Sequence, residues 1–198
     1  MDVGRNEVQT TRVVTIPNLL SLLRLLGVPL FLWLVLVERA DGWAVAVLAV
    51  SGFTDYLDGV LARRWNQISR VGQLLDPVAD RLYVISTVVA LTIRDIIPLW
   101  FAVALIGRDV LMVLMIPFLR QLGLRALPVH FLGKAGTFCL LYALPLLLLG
   151  DGESTLALLA RVFGWAFGIW GFILYWWAGV LYFLQLRRLR RGAEVTTE

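Results

Sequence analysis

From Val162 to Leu186 the chain carries not one charged residue. About 20 mostly apolar residues are enough to cross the hydrocarbon core of a bilayer as a helix, with every backbone hydrogen bond made inside the segment. That run sets the class of fold. A hydrophobic content of 60% against 16% charged residues in 198 positions is too apolar for an ordinary soluble domain. Five more apolar segments precede it, each interrupted by charge. Pro17 to Val37 contains Arg24, Trp43 to Arg63 contains Asp55 and Asp58, and Gly72 to Ile93 contains Asp76, Asp80 and Arg81. Ile96 to Leu119 contains Arg108 and Asp109, and Phe131 to Gly150 contains Lys134. The expected architecture is an all-α integral membrane protein with six transmembrane helices. It forms a single domain over 1–198, with a polar N-terminal tail at 1–12 and a basic C-terminal tail at 187–198. Residues 15–24 mix polar and apolar positions, which suits an N-terminal interfacial segment.

Met1 to Arg12 lacks the short apolar core and small-residue cleavage site of a secretory signal, so the first span is expected to be retained. Arginines collect on one side of the six spans: Arg5 and Arg12, Arg64 and Arg70, Arg120 and Arg125, then Arg187 to Arg191. The positive-inside rule puts that side, with both termini, in the cytoplasm of an inner-membrane protein. Trp43, Trp100 and Trp165 fall toward the opposite ends, where an aromatic belt belongs. The net charge of +4 is spread between apolar segments instead of forming one basic surface, which argues against nucleic acid as a partner. The C-terminal arginines read as an anchor to anionic membrane lipids. Cys139 is the only cysteine, so an intrachain disulfide and a multi-cysteine metal site are both excluded.

An ionisable side chain inside a membrane segment is costly, and by default marks a functional site. Four aspartates lie in spans two and three. Asp55 and Asp58 are three residues apart and Asp76 and Asp80 four apart, so each pair shares a helical face. If the two helices run antiparallel about their short connection, Asp55 falls level with Asp80 and Asp58 with Asp76. The two layers are then separated by about 5 Å of helical rise. Four adjacent carboxylates repel one another and call for compensating cations. Oxygen ligands without His or Cys favour Mg²⁺, Mn²⁺ or Ca²⁺. A pair of such ions is the usual device for stabilising attacking and leaving oxygens in phosphoryl chemistry. Ser51 and Gly52 continue the stripe upstream and are expected to serve close helix packing. Pro77 is expected to start the third helix, since proline fits a first turn.

The pattern Asp55-x-x-Asp58-Gly59-x-x-Ala62-Arg63, eight residues, then Gly72-x-x-x-Asp76-x-x-x-Asp80 resembles, without gaps, the signature of the CDP-alcohol phosphotransferases. That resemblance implies a six-helix membrane core with a cytoplasm-facing site, and transfer of a substituted phosphate from a CDP-linked donor to an alcohol with release of CMP. It implies Asp55, Asp58, Asp76 and Asp80 as ligands of two Mg²⁺ or Mn²⁺ ions, and Asp80 as general base. Asp58, Gly59, Ala62, Arg63 and Gly72 would contact the donor. CDP-diacylglycerol is the expected donor, and relatives suggest a homodimer.

For the acceptor, Arg108 and Lys134, joined by Arg125 or Arg24, read as a basic pocket for a glycerol-type alcohol that carries its own phosphate. Mutual neutralisation of Arg108 and Asp109 is the competing reading, and Lys134 at a helix end can equally snorkel toward water. Ile16-Pro17-Asn18-Leu19-Leu20 with Arg24, and Leu75 to Arg81, resemble the family's phosphatidylglycerophosphate and CMP-forming cardiolipin synthases. Arg108-Asp109 resembles the cardiolipin branch, which makes phosphatidylglycerol the leading acceptor and glycerol 3-phosphate the alternative. His130 reads as an interfacial polar residue. A cation channel or transporter is the rival from another class. It predicts acidic or polar residues continuing toward the far side, and here apolar runs follow the aspartates.

Overall fold

The computed structural model describes residues 16–65, 70–121 and 131–195, with side chains at 22–55, 57, 78–115, 131–185 and 187. The regular structure is helical: α1 (Ile16–Trp33) running into a π-helical segment (Leu34–Glu38), α2 (Asp41–Trp65), α3 (Arg70–Ile93), α4 (Leu99–Gln121), α5 (Phe131–Leu149) and α6 (Thr155–Val195). No strand occurs among the described residues. The chain divides into two compact units, Met1–Arg94 and Asp95–Glu198.

In the first unit α1 packs on both α2 and α3. Pro29 lies inside α1, where it supplies no N–H to the helical ladder, and the α-helical pattern gives way to the π-helical turn after Trp33. Arg39 ends that turn in the left-handed region, at φ 51°, with its backbone N–H on the carbonyl of Leu34. Arg94, just past α3, fastens this corner. Its Nη2 donates to Asp41 Oδ2 at 3.0 Å and its Nη1 to the carbonyl of Val35 at 3.3 Å. Asp41 opens α2, where a carboxylate also suits the helix dipole. Gly27 in α1 makes room for Tyr83 of α3, since a Cβ at Gly27 would stand 2.2 Å from the tyrosine oxygen. The seated ring meets Phe31 edge-on and its hydroxyl donates to the carbonyl of Arg24 at 3.0 Å.

In the second unit α5 and α6 lie along each other, with glycines at the closest approaches. A Cβ at Gly136 would be 2.9 Å from the backbone nitrogen of Tyr175, and one at Gly164 would be 2.9 Å from that of Leu147. Small residues let membrane helices approach this closely and gain van der Waals contact where lipid removes the hydrophobic drive. Ser154 caps α6 by accepting the N–H of Ala157 at 3.1 Å, and Arg161 Nε donates back to the carbonyl of Gly150 at 2.8 Å. Phe101 of α4, almost fully buried, stacks on Phe172 of α6 with ring centroids 5.1 Å apart. Gly136→Val is expected to push α5 from the backbone of α6 and to destabilise the protein by about 1–3 kcal/mol, the usual cost of overpacking. A lowered thermal unfolding midpoint in detergent is the check, and an unchanged midpoint contradicts this packing.

The outward surface is apolar. On α6, Trp170 and Trp177 are 63% and 59% exposed, and Ile169, Ile173 and Val180 face outward with them. Among the described residues two helical stretches, Phe131–Leu149 and Thr155–Gln185, are long and apolar enough to cross a bilayer. The apolar segments read from the sequence coincide with the helices to within a few residues, except that α6 begins earlier and runs on to Val195. Two local expectations change. α3 begins at Arg70, so Pro77 sits within the helix instead of opening it; Val71, Leu74 and Leu75 upstream already have helical apolar spacing. Gly52 is exposed, and a Cβ placed there meets nothing within 4 Å, whereas Ser51 is buried. Of these two residues, Ser51 is therefore the one that packs closely.

Candidate active site

Helical spacing places Asp55, Asp58, Gly59, Ala62 and Arg63 on α2 and Gly72, Asp76 and Asp80 on α3. The side chains of Asp58, Ala62, Arg63 and Asp76 lie outside the described residues, as do Arg125 and His130 altogether. Asp55 and Asp80 are described, and one guanidinium joins them. Arg24 Nη1 donates to Asp55 Oδ1 at 2.6 Å and stands 3.7 Å from Asp80 Oδ1. The arginine side chain is fully buried, while those of Asp55 and Asp80 are 41% and 58% exposed. The Asp55–Asp80 layer thus meets at the buried guanidinium of Arg24, contributed by α1.

This geometry has an electrostatic reason. Two carboxylates drawn to one place in an apolar setting need positive charge nearby, and a buried arginine needs anions around it. The Tyr83 hydroxyl on the carbonyl of Arg24 holds the backbone from which the guanidinium reaches. Arg24, expected to join the acceptor pocket, is instead the internal counter-ion of the acidic pair. The water-facing sides of Asp55 and Asp80 remain accessible. Their all-oxygen donor set fits hard divalent ions. Among the described residues no three His, Cys, Asp or Glu side chains come together, the other two motif carboxylates being outside that set.

In the second unit Arg108 and Asp109 of α4 form a contact of 3.3 Å, and Arg108 is 8% exposed. Sequence reasoning missed a third member, Tyr175 of α6. Its hydroxyl donates to Asp109 Oδ1, and its ring lies under the guanidinium with the centroid 3.9 Å from Arg108 Cζ. Nothing in the sequence links positions 66 residues apart. Lys134 is exposed on the first turn of α5.

Known proteins match this chain over most of its length. The family model described as CDP-alcohol phosphatidyltransferase matches residues 14–182, running through both units. A cardiolipin synthase (CMP-forming) of Streptomyces coelicolor is 59% identical over 197 residues, covering 97% of this chain and 92% of its own. A relative in Mycobacterium tuberculosis is 44% identical over 180 residues, covering 91% of this chain and 86% of its own. The human cardiolipin synthase (CMP-forming) is 39% identical over 115 residues, which is 58% of this chain and 37% of the human one. With the acidic motif on α2 and α3 and a family match that runs through nearly all the helices, the chain belongs to the CDP-alcohol phosphatidyltransferase family and is a transferase enzyme.

Proposed function

We propose that the enzyme moves the phosphatidyl group of CDP-diacylglycerol to phosphatidylglycerol, releasing CMP and forming cardiolipin. The observation that carries this reading is the 59% identity, over nearly the full length of both chains, to a CMP-forming cardiolipin synthase. The two compact units act as one domain of six membrane spans, with termini and site facing the cytoplasm, and the protein works as a homodimer. The exposed apolar surface of α6 and the arginine-rich loops support the membrane placement and its orientation.

Asp55, Asp58, Asp76 and Asp80 hold two Mg²⁺ or Mn²⁺ ions in this scheme. When bound, the ions supply neutralisation of the donor's pyrophosphate and polarisation of the phosphorus under attack. Asp80 takes the proton of the acceptor hydroxyl as its oxygen bonds to the lipid-bearing phosphorus. The bond to CMP breaks, and CMP departs with the electron pair. Asp58, Gly59, Ala62, Arg63 and Gly72 contact the donor. Arg108, Arg125 and Lys134 receive the phosphate that phosphatidylglycerol carries. Acyl chains stay in lipid throughout, which suits a site on membrane helices.

The test supplies purified protein with CDP-diacylglycerol, Mg²⁺ or Mn²⁺, and either phosphatidylglycerol or glycerol 3-phosphate, following CMP and lipid product. Cardiolipin is expected with phosphatidylglycerol, with activity lost to a chelator and restored by either metal. Phosphatidylglycerophosphate without cardiolipin overturns the acceptor. Activity that survives chelation overturns the metal requirement.

A further inference from the structure

The Arg108 contact with Asp109 is weaker than its sequence suggests. Consecutive helical residues do not face each other, so the fork of the guanidinium cannot align with its neighbour's carboxylate. The observed 3.3 Å is long for a charge-assisted bond, whose ordinary range is about 2.7–2.9 Å. The oxygen that Arg108 reaches also takes the Tyr175 hydroxyl. Arg108 Nε, buried, has no hydrogen-bond partner among the described residues. Beside it stands Gly179, one turn beyond Tyr175 on α6. A Cβ there would lie 3.7 Å from Arg108 Nε and 3.6 Å from Met112 Cε, so at this position no side chain of α6 projects against the Nε edge.

We infer that Tyr175 and Gly179 form a cradle that presents Arg108 to a phosphate oxygen of the acceptor, Tyr175 by holding Asp109 aside and supporting the guanidinium, Gly179 by placing no side chain against its Nε edge. The inference rests on the reading of Arg108 as an acceptor-binding residue and adds two residues which that reading does not contain. The physical logic is a division of charge. A buried arginine needs an anion nearby to be tolerated, yet one fully neutralised by its own chain has little left for a ligand. A hydroxyl on Asp109 draws off part of the carboxylate's hydrogen-bonding capacity, and the aromatic face stabilises the cation without occupying its N–H groups. Gly136 of α5 lies closely against the backbone of Tyr175 and so fixes where that residue stands. Tyr175 is accordingly a positioning residue.

The test measures KM for phosphatidylglycerol, and in a parallel arm for glycerol 3-phosphate, at saturating CDP-diacylglycerol, together with kcat and KM for the donor. Tyr175→Phe keeps the ring and loses the hydroxyl. Gly179→Ala adds one methyl at ordinary contact distance, so the fold is expected to hold. Each is expected to raise acceptor KM by about tenfold, equivalent to about 1.4 kcal/mol, with kcat and donor KM unchanged. Arg108→Gln is the control for the underlying reading. If it leaves acceptor KM unchanged, the acceptor role of Arg108 fails and the cradle with it. If Arg108→Gln raises acceptor KM while Tyr175→Phe and Gly179→Ala do not, the cradle alone is overturned. A parallel rise in both substrates' KM with a lowered unfolding midpoint also overturns it, because that marks a purely structural role. A response confined to the glycerol 3-phosphate arm supports the cradle and changes the acceptor.

Discussion

Asp80→Asn is expected to reduce CMP release by about 10²–10⁴-fold, the range attached to loss of a positioned general base. Asparagine keeps the size of the side chain and one carbonyl oxygen, so it preserves packing on α3 while removing both the charge and the proton acceptor. Asp80 is more than half exposed and meets Arg24 only at 3.7 Å, so its loss leaves the 2.6 Å bond of Arg24 to Asp55 in place. Binding of CDP-diacylglycerol, followed by its protection against thermal unfolding, should persist. A variant that binds donor and does not turn over locates the defect in the chemical step. Full activity would remove Asp80 from the role of base, and lost binding would assign its main contribution to holding metal and donor.

Asp55→Asn provides the contrast. Asp55 carries the short bond to the buried guanidinium, so its neutralisation removes an internal counter-ion as well as an anionic ligand. The two aspartates share an arginine and differ in how tightly it engages them. The more loosely held and more exposed carboxylate is the better placed of the two to exchange a proton with an incoming hydroxyl.

The helical class and the approximate ends of the first five helices were legible because long apolar runs have one structural solution in lipid. The acidic pairs were legible because spacings of three and four have one meaning on a helix. What escaped was contact between helices, which depends on rotation and register that no local pattern encodes. Arg24 is the instructive case. It was assigned by chemistry to a phosphate pocket, although the rule that intramembrane charges pair, applied to Arg108 and Asp109, applies equally to Arg24 and the aspartates of α2 and α3. Tyr175 gave no comparable signal, since its role arises where α6 crosses α4. Pro77 misled because its place relative to the helix start depends on residues as far back as Arg70.

Arg24→Leu is expected to be the most damaging substitution outside the acidic motif, and its effect separates into two parts with opposite signs. Removing one partner of a buried ion pair ordinarily costs about 3–5 kcal/mol. Here Asp55 and Asp80 are 41% and 58% exposed, so water takes up part of the uncompensated charge. The expected loss of stability without divalent metal is therefore nearer about 1–3 kcal/mol. The same change leaves two carboxylates with their full charge and no competing cation, so Mn²⁺ should raise the unfolding midpoint of Arg24→Leu by more than it raises that of the parent. Activity should nevertheless fall sharply, because the carboxylates lose the guanidinium that sets their orientation. Thermal unfolding of the parent, Arg24→Leu, Asp55→Asn and the double variant, each with and without Mn²⁺, closes the cycle. In the absence of metal the double variant should be less destabilised than the sum of the single changes, since neutralising Asp55 removes the charge that the missing arginine strands. Strict additivity would mean that the 2.6 Å contact contributes no coupling, and Arg24 would then stabilise α1 by packing alone.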